Sequence, residues 1–167
     1  MAKTKKTTKG NGKQKPDAGK IRSLRPSDLD AVVEIDRANV GRSRRGFFEK
    51  RLAAVKRDPK MFLTIGIETK KGLAGFLIAR VFHGEFGMQE PVASIDAIGV
   101  DPKSQGKGLG RALMEGLETA MRRRGVKEVM SQELWAGGAL IGFLAANGFE
   151  LGPRWVVERS LSEPIDF

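Results

Sequence analysis

Three glycines fall within five positions in the segment Gln105-Gly106-Lys107-Gly108-Leu109-Gly110-Arg111, where a β-rich run gives way to the best-defined helical pattern of the chain. Glycines at such a turn let backbone approach a ligand closely, and the first amide N–H groups of a helix lack intrahelical acceptors and carry its positive dipole end. This is the chemistry of an oxyanion cradle. Lys103, Lys107 and Arg111 add cations able to reach an anion held there. Two common nucleotide motifs do not fit. A Walker A loop needs Gly-Lys-Ser/Thr at its end, but Leu109 and Gly110 follow Gly108, and a dinucleotide fingerprint needs a glycine where Arg111 stands. ATP and NAD are therefore disfavoured.

The elements that must position this segment can be read from periodicity. Ile21 to Arg25 alternates as a short strand, and Ser27-x-x-Asp30 has capping-box spacing before a helix that carries Leu29, Val32 and Val33 on one face. A second helix is predicted over 43–57, with Phe47, Phe48, Leu52 and Val55 on one side and Arg44, Arg45, Lys50, Arg51 and Lys56 largely on the other. Runs 61–68 and 73–82 form an antiparallel hairpin through Thr69-Lys70-Lys71-Gly72, residues 83–90 form a loop, and 92–100 is a third strand ended by Asp101-Pro102. The long helix covers 109–124, with a cationic last turn and Gly125 as its C-cap. A strand at 127–131, a helix at 136–147 and a strand at 155–161 complete the order. The fold class is α+β, with helices flanking one mixed, mostly antiparallel central sheet.

The chain has 167 residues and a formal net charge of +10, which suits one domain. Seven lysines against Asp17 give residues 1–20 a charge of +6, with almost no apolar side chain to offset ordering, so they read as a disordered tail ahead of a domain over 21–167. The tail is a candidate contact for nucleic acid. With no cysteine, disulfides, thiolate metal sites and thiol nucleophiles are excluded. A single histidine, His83, leaves no His-rich metal centre, so no metal site is expected. No apolar run is long enough for a membrane span and no signal core follows the basic start, so a cytoplasmic location is expected.

The segment from Gln105 to Gly110 resembles the signature of the Gcn5-related N-acetyltransferases, in which Gln/Arg-x-x-Gly-x-Gly/Ala opens a long helix after a strand. Every fixed place matches, Ile98-Gly99-Val100 precedes it, and the resemblance extends over roughly 21–161, including Phe143 and Gly148-Phe149. It implies a GNAT-like domain with acetyl-CoA, or another acyl-CoA, as co-substrate. The diphosphate would sit on the amides of Gln105, Gly106, Lys107, Gly108, Leu109 and Gly110 beside Arg111. The pantetheine arm would pair with Ile98, Gly99 and Val100, splayed from strand 127–131, and Phe143 would complete the donor site.

The resemblance also implies direct attack by an amine, which needs a base, a polarised thioester carbonyl and a proton for the leaving thiolate. Asp96, in an otherwise apolar strand, is the first candidate base, and plain alternation puts it on the face of Ser94 and Ile98. Glu133 is the second. The carbonyl polariser would be the N–H of Ile98 or Val100. One departure concerns the acid: Leu144 stands where many members carry a tyrosine, and the chain has none. Solvent or a hydroxyl such as Ser131 must serve. Glu85 and Glu90 would favour a cationic acceptor, whereas the basic face of the second helix would welcome an anionic partner. Acceptors in view are a small amine or a protein lysine or N-terminus, and a homodimer is common among such proteins. The competing reading is a non-catalytic CoA-binding or RNA-associated basic module of the same fold.

Overall fold

The computed structural model describes residues 19–84, 89–132, 138–153 and 156–158. Two compact units divide at 132/133. The larger carries a five-stranded sheet in the order β1-β2-β3-β4-β5: β1 (Lys20–Arg22), β2 (Phe62–Thr69), β3 (Gly72–Phe82), β4 (Val92–Val100) and β5 (Glu128–Ser131). The first four strands pair antiparallel, and β5 joins β4 parallel through the crossover helix α3 (Leu109–Arg123). β2 and β3 are almost continuously buried, as strands covered on both faces must be.

One face is covered by α1 (Leu29–Val40) and α2 (Arg45–Arg57). Their Val32, Val33, Ile35 and Phe48 form one core with Phe76, Ile78 and Ala97 of the sheet. Phe48 meets Phe76 edge to face at 5.6 Å. α3 covers the other face through Leu109, Leu113, Leu117 and Met121, with Leu113 against Gly75 and Gly116 against Ile65. Its apolar residues recur at helical spacing, so one stripe is buried and the remainder is wet.

Local chemistry departs from the sequence reading at the start of α1. A short 3₁₀ turn, Pro26–Asp28, precedes it, and Asp28 rather than Ser27 organises the entry, accepting from the Arg25 amide at 2.6 Å and from both terminal nitrogens of Arg22 at 2.6 and 2.9 Å. Arg22 also donates to Glu68 at 2.8 Å, so one guanidinium ties β1, this turn and β2 together. β1 itself begins at Lys20 and is shorter than expected. The expected tail otherwise lies outside the described residues.

The smaller unit contains α4 (Gly138–Ala146), closed by Gly148 with the Phe149 amide bonded to Leu144 O at 3.1 Å. Of the final strand expected at 155–161, residues 156–158 have no regular structure and the others lie outside the described residues. No described helix is long and apolar enough to cross a membrane.

Candidate active site

β4 and β5 are paired only over Val92↔Glu128 to Ile95↔Ser131, yet β4 continues to Val100. Beyond Ile95 the β5 side of β4 has no strand partner among the described residues. The Asp101 amide donates to Ala74 O at 2.9 Å, which turns residues 101 and 99 toward β3. By alternation the amide and carbonyl of Ile98 and Val100 face the gap. Sequence reasoning singled out these two amides, and the register places them there. Gly99 is required for packing instead: a Cβ there would stand 2.8 Å from the Phe76 ring and 3.2 Å from Ile35.

The same end of the sheet holds the mouth of α3. Pro102–Ser104 makes a 3₁₀ turn braced by Asp101, whose backbone carbonyl accepts from the Ser104 amide at 2.7 Å. Gly106 and Gly108 follow with φ of +72° and +80°, conformations that side-chain-bearing residues adopt only under strain. The first helical bond runs from the Ala112 amide to Gly108 O at 3.0 Å, so the amides before it project from the helix end. A Cβ built on Gly106 or Gly108 meets nothing within 4 Å. Among the described residues nothing fills the mouth, and its amide donors suit an oxyanion.

The side chains around the mouth divide into braces and exposed cations. Gln105 Nε2 donates to Asn39 Oδ1 at 2.9 Å and to Val100 O at 3.2 Å, and Asn39 Nδ2 donates to the same carbonyl at 3.1 Å. Gln105 therefore fixes the turn to the end of α1. Lys107 Nζ donates to Lys103 O at 3.0 Å, and Arg111 pairs with Glu115 at 3.0 Å on the exposed first turns of α3, with Leu109 buried beneath. Asn39 escaped the sequence reading; only its place in the last turn of a helix hinted at a capping amide.

Asp96 keeps the face of Ser94, which lies opposite Arg80, but not that of Ile98. Ala97 pairs with Ile78 and Ile95 with Ala79, so Asp96 is the extra residue of a β-bulge. It shares a face with Ala97, under α2, while Ile98, opposite Leu77, belongs to the α3 side. Its side chain is only 7% exposed and lies 3.0 Å from Arg51 Nε and 3.6 Å from Arg80 Nη2. Burial pushes the Asp96 carboxyl above the ordinary carboxylate range, against the pull of those two guanidinium groups. Arg51 and Arg44 thus leave the solvent face that the helical pattern gave them: Arg44 pairs with the buried Asp36 at 2.5 Å. Neither Arg51 nor Arg80 was legible as a site residue, because each meets Asp96 only in the fold.

Of the remaining predicted residues, Ser131 is brought beside the bulge, opposite Ile95. Ser131 ends β5 at the last paired position. Phe143 is half-buried on α4 in the smaller unit. Glu133 and Glu85 lie outside the described residues. Glu90 is paired with Lys127 at 3.1 Å, so its charge is balanced.

A family model described as Acetyltransferase (GNAT) family matches residues 29–149. Among curated proteins, the mycothiol acetyltransferase of Catenulispora acidiphila is 34% identical over 123 residues, covering 69% of this chain and 38% of that protein. The mycothiol acetyltransferase of Thermobispora bispora is 34% identical over 86 residues, covering 52% and 28%. The chain therefore spans well under half the length of the curated relatives it matches. Among solved structures, the ribosomal-protein-S18-alanine N-acetyltransferase of Escherichia coli aligns with a TM-score of 0.64 at 26% identity, over 79% of this chain and 77% of that one. A transcriptional regulator from Bacillus halodurans C-125 shares the fold with a TM-score of 0.70 at 17% identity, over 85% and 99%.

Proposed function

The chain belongs to the GNAT acetyltransferase family, and from that premise we propose that it moves an acetyl group from acetyl-CoA to a primary amine by direct attack. One observation carries the reading: the helix mouth at Gly108 and the edge of β4 that has no strand partner beyond Ile95 among the described residues lie at the same end of the sheet.

In this reading the amides of residues 106–110 receive the diphosphate, with Lys107 and Arg111 alongside. An anion at such a helix end gains about 0.3–1 kcal/mol when exposed and more when partly buried. The pantetheine arm pairs along β4 at Ile98 and at the Val100 amide, because the Val100 carbonyl already accepts from Asn39 and Gln105. Gly99 keeps the strand tight against Phe76. An amide of Ile98 or Val100 polarises the thioester carbonyl.

The neutral amine attacks the carbonyl carbon. A C–N bond forms, the C–S bond breaks, and the amine proton passes to Asp96, with Glu133 as the second carboxylate available for that task. The thiolate takes its proton from solvent or a hydroxyl such as Ser131, since the chain contains no tyrosine.

The test is a screen of amines with acetyl-CoA, read by thiol release and by mass of the acetylated product. Calorimetry with CoA accompanies it. Absence of CoA binding at any concentration up to millimolar would remove the reading.

A further inference from the structure

We propose that Arg51 and Arg80 form an anion subsite beside the bulge of β4, and that the acceptor is a small amine carrying a compact oxyanion, a carboxylate or phosphate. This rests on the acetyl-transfer reading above and names its acceptor class.

Two guanidinium groups face one carboxylate, so the cluster keeps a surplus positive charge among the described residues. The side chains of Arg51 and Arg80 are 21% and 36% exposed, so this surplus is partly desolvated, which is costly unless an anion answers it. Nor is the cluster closed by its own bonds. Among the described residues, Arg51 Nε, Arg80 Nε and Asp96 Oδ2 are buried without a hydrogen-bond partner: the 3.0 Å approach of Arg51 to Asp96 lacks the alignment a hydrogen bond needs. The cluster is held together by charge rather than by aligned hydrogen bonds, and its excess of cationic donors over acceptors matches a ligand that brings an oxyanion.

The guanidinium planes are also held in advance. Arg51 lies over Phe47 at 5.1 Å and Phe62 at 5.8 Å, and Arg80 over Phe82 at 4.5 Å. Rings on the flat faces leave the N–H edges to a planar or tetrahedral oxyanion.

Position supports the assignment. Arg80 pairs with Ser94 and Phe82 with Val92, in the half of the sheet that leads to the 83–90 connection, whereas the α3 mouth lies at the Val100 end. A donor entering from one end and an acceptor from the other meet at Asp96.

The experiment compares matched acceptors, glycine against glycinamide and O-phosphoethanolamine against ethanolamine, at equal free-amine concentration with acetyl-CoA. The wild-type chain should prefer the anionic member by about tenfold or more in kcat/KM. Arg80→Gln should lose that preference, its kcat/KM falling about tenfold further for the anionic member than for the neutral one. Independently of turnover, inorganic phosphate should raise the Tm of the wild-type chain more than that of Arg80→Gln. Arg80→Lys, which keeps the charge without the planar fork, covers the case in which the glutamine variant does not fold, and it should lose most of the preference. An unchanged preference in both variants, or a wild-type chain indifferent to the anion with no phosphate-dependent Tm difference, overturns the subsite. If no amine at all releases thiol, the transfer reading fails, and the phosphate measurement alone then judges the subsite.

Discussion

The side-chain amide of Gln105 donates to Asn39 Oδ1 at 2.9 Å, and both residues converge on the carbonyl of Val100. The turn that presents the α3 mouth is thereby fastened to the last turn of α1, and the end of β4 is held between them.

This brace should appear in donor affinity. Asn39→Ala and Gln105→Ala are each expected to weaken CoA binding by about 3- to 10-fold, the equivalent of one hydrogen bond of about 1 kcal/mol. The double variant should cost clearly less than the sum, because the two share one network. Calorimetry on the four proteins gives the coupling; strict additivity would mean that the brace does not act as a unit.

Gly108→Trp should abolish CoA binding without unfolding the chain. The new side chain projects into open space rather than into protein atoms. Its backbone cost at positive φ is about 1–2 kcal/mol. Circular dichroism and thermal melting check the fold, and calorimetry checks the ligand. Retained binding would place the diphosphate elsewhere.

Asp96→Asn should leave CoA affinity intact and lower kcat by about 100-fold or more. Because burial raises this carboxyl above its ordinary range, the wild-type kcat profile should bend down on the acid side at a pH above the usual carboxylate value of about 4. The base form is lost as pH falls through that raised value. The variant should lack the bend; a profile of the same shape in both proteins would take the role from Asp96.

Stability should follow a different carboxylate. Hydrogen bonds from Arg22, joined by the Arg25 amide, hold Asp28 below the ordinary carboxylate range despite its burial. Its folded value lies under its unfolded one, so the stabilisation is complete above about pH 4 and fades as pH falls through the folded value. Asp28→Asn should cost about 1–3 kcal/mol at neutral pH and flatten the acid limb of Tm against pH between 5 and 2. An equally steep limb in the variant would assign acid sensitivity to other groups, Glu68 first among them.

Removal of residues 1–18 should leave acetyl transfer within about twofold while abolishing any salt-sensitive nucleic-acid binding, since six lysines lie in that stretch. Filter binding at two salt concentrations beside the thiol-release assay separates the two. Loss of turnover on truncation would tie the segment to the active site.

The sequence by itself determined what depends on near neighbours. The glycine spacing of 106, 108 and 110 announced a cradle at a helix start, period-two and period-3.6 patterns announced the strands and helices, and the match at Gln105 to Gly110 carried the family. Tertiary structure decided the surroundings and facing of Asp96, which the sequence marked only as an acid in an apolar strand. Alternation counted along β4 alone has no means of sensing an extra residue; only pairing against β3, which skips from Ala97 to Ile95, reveals the bulge and the face it selects. Helical periodicity likewise put Arg51 in water, because a guanidinium on a long stem can turn beneath its helix once a buried carboxylate and two aromatic rings stand there to receive it. Contacts between distant stretches exist only after folding, and the chemistry at the bulge is built from them.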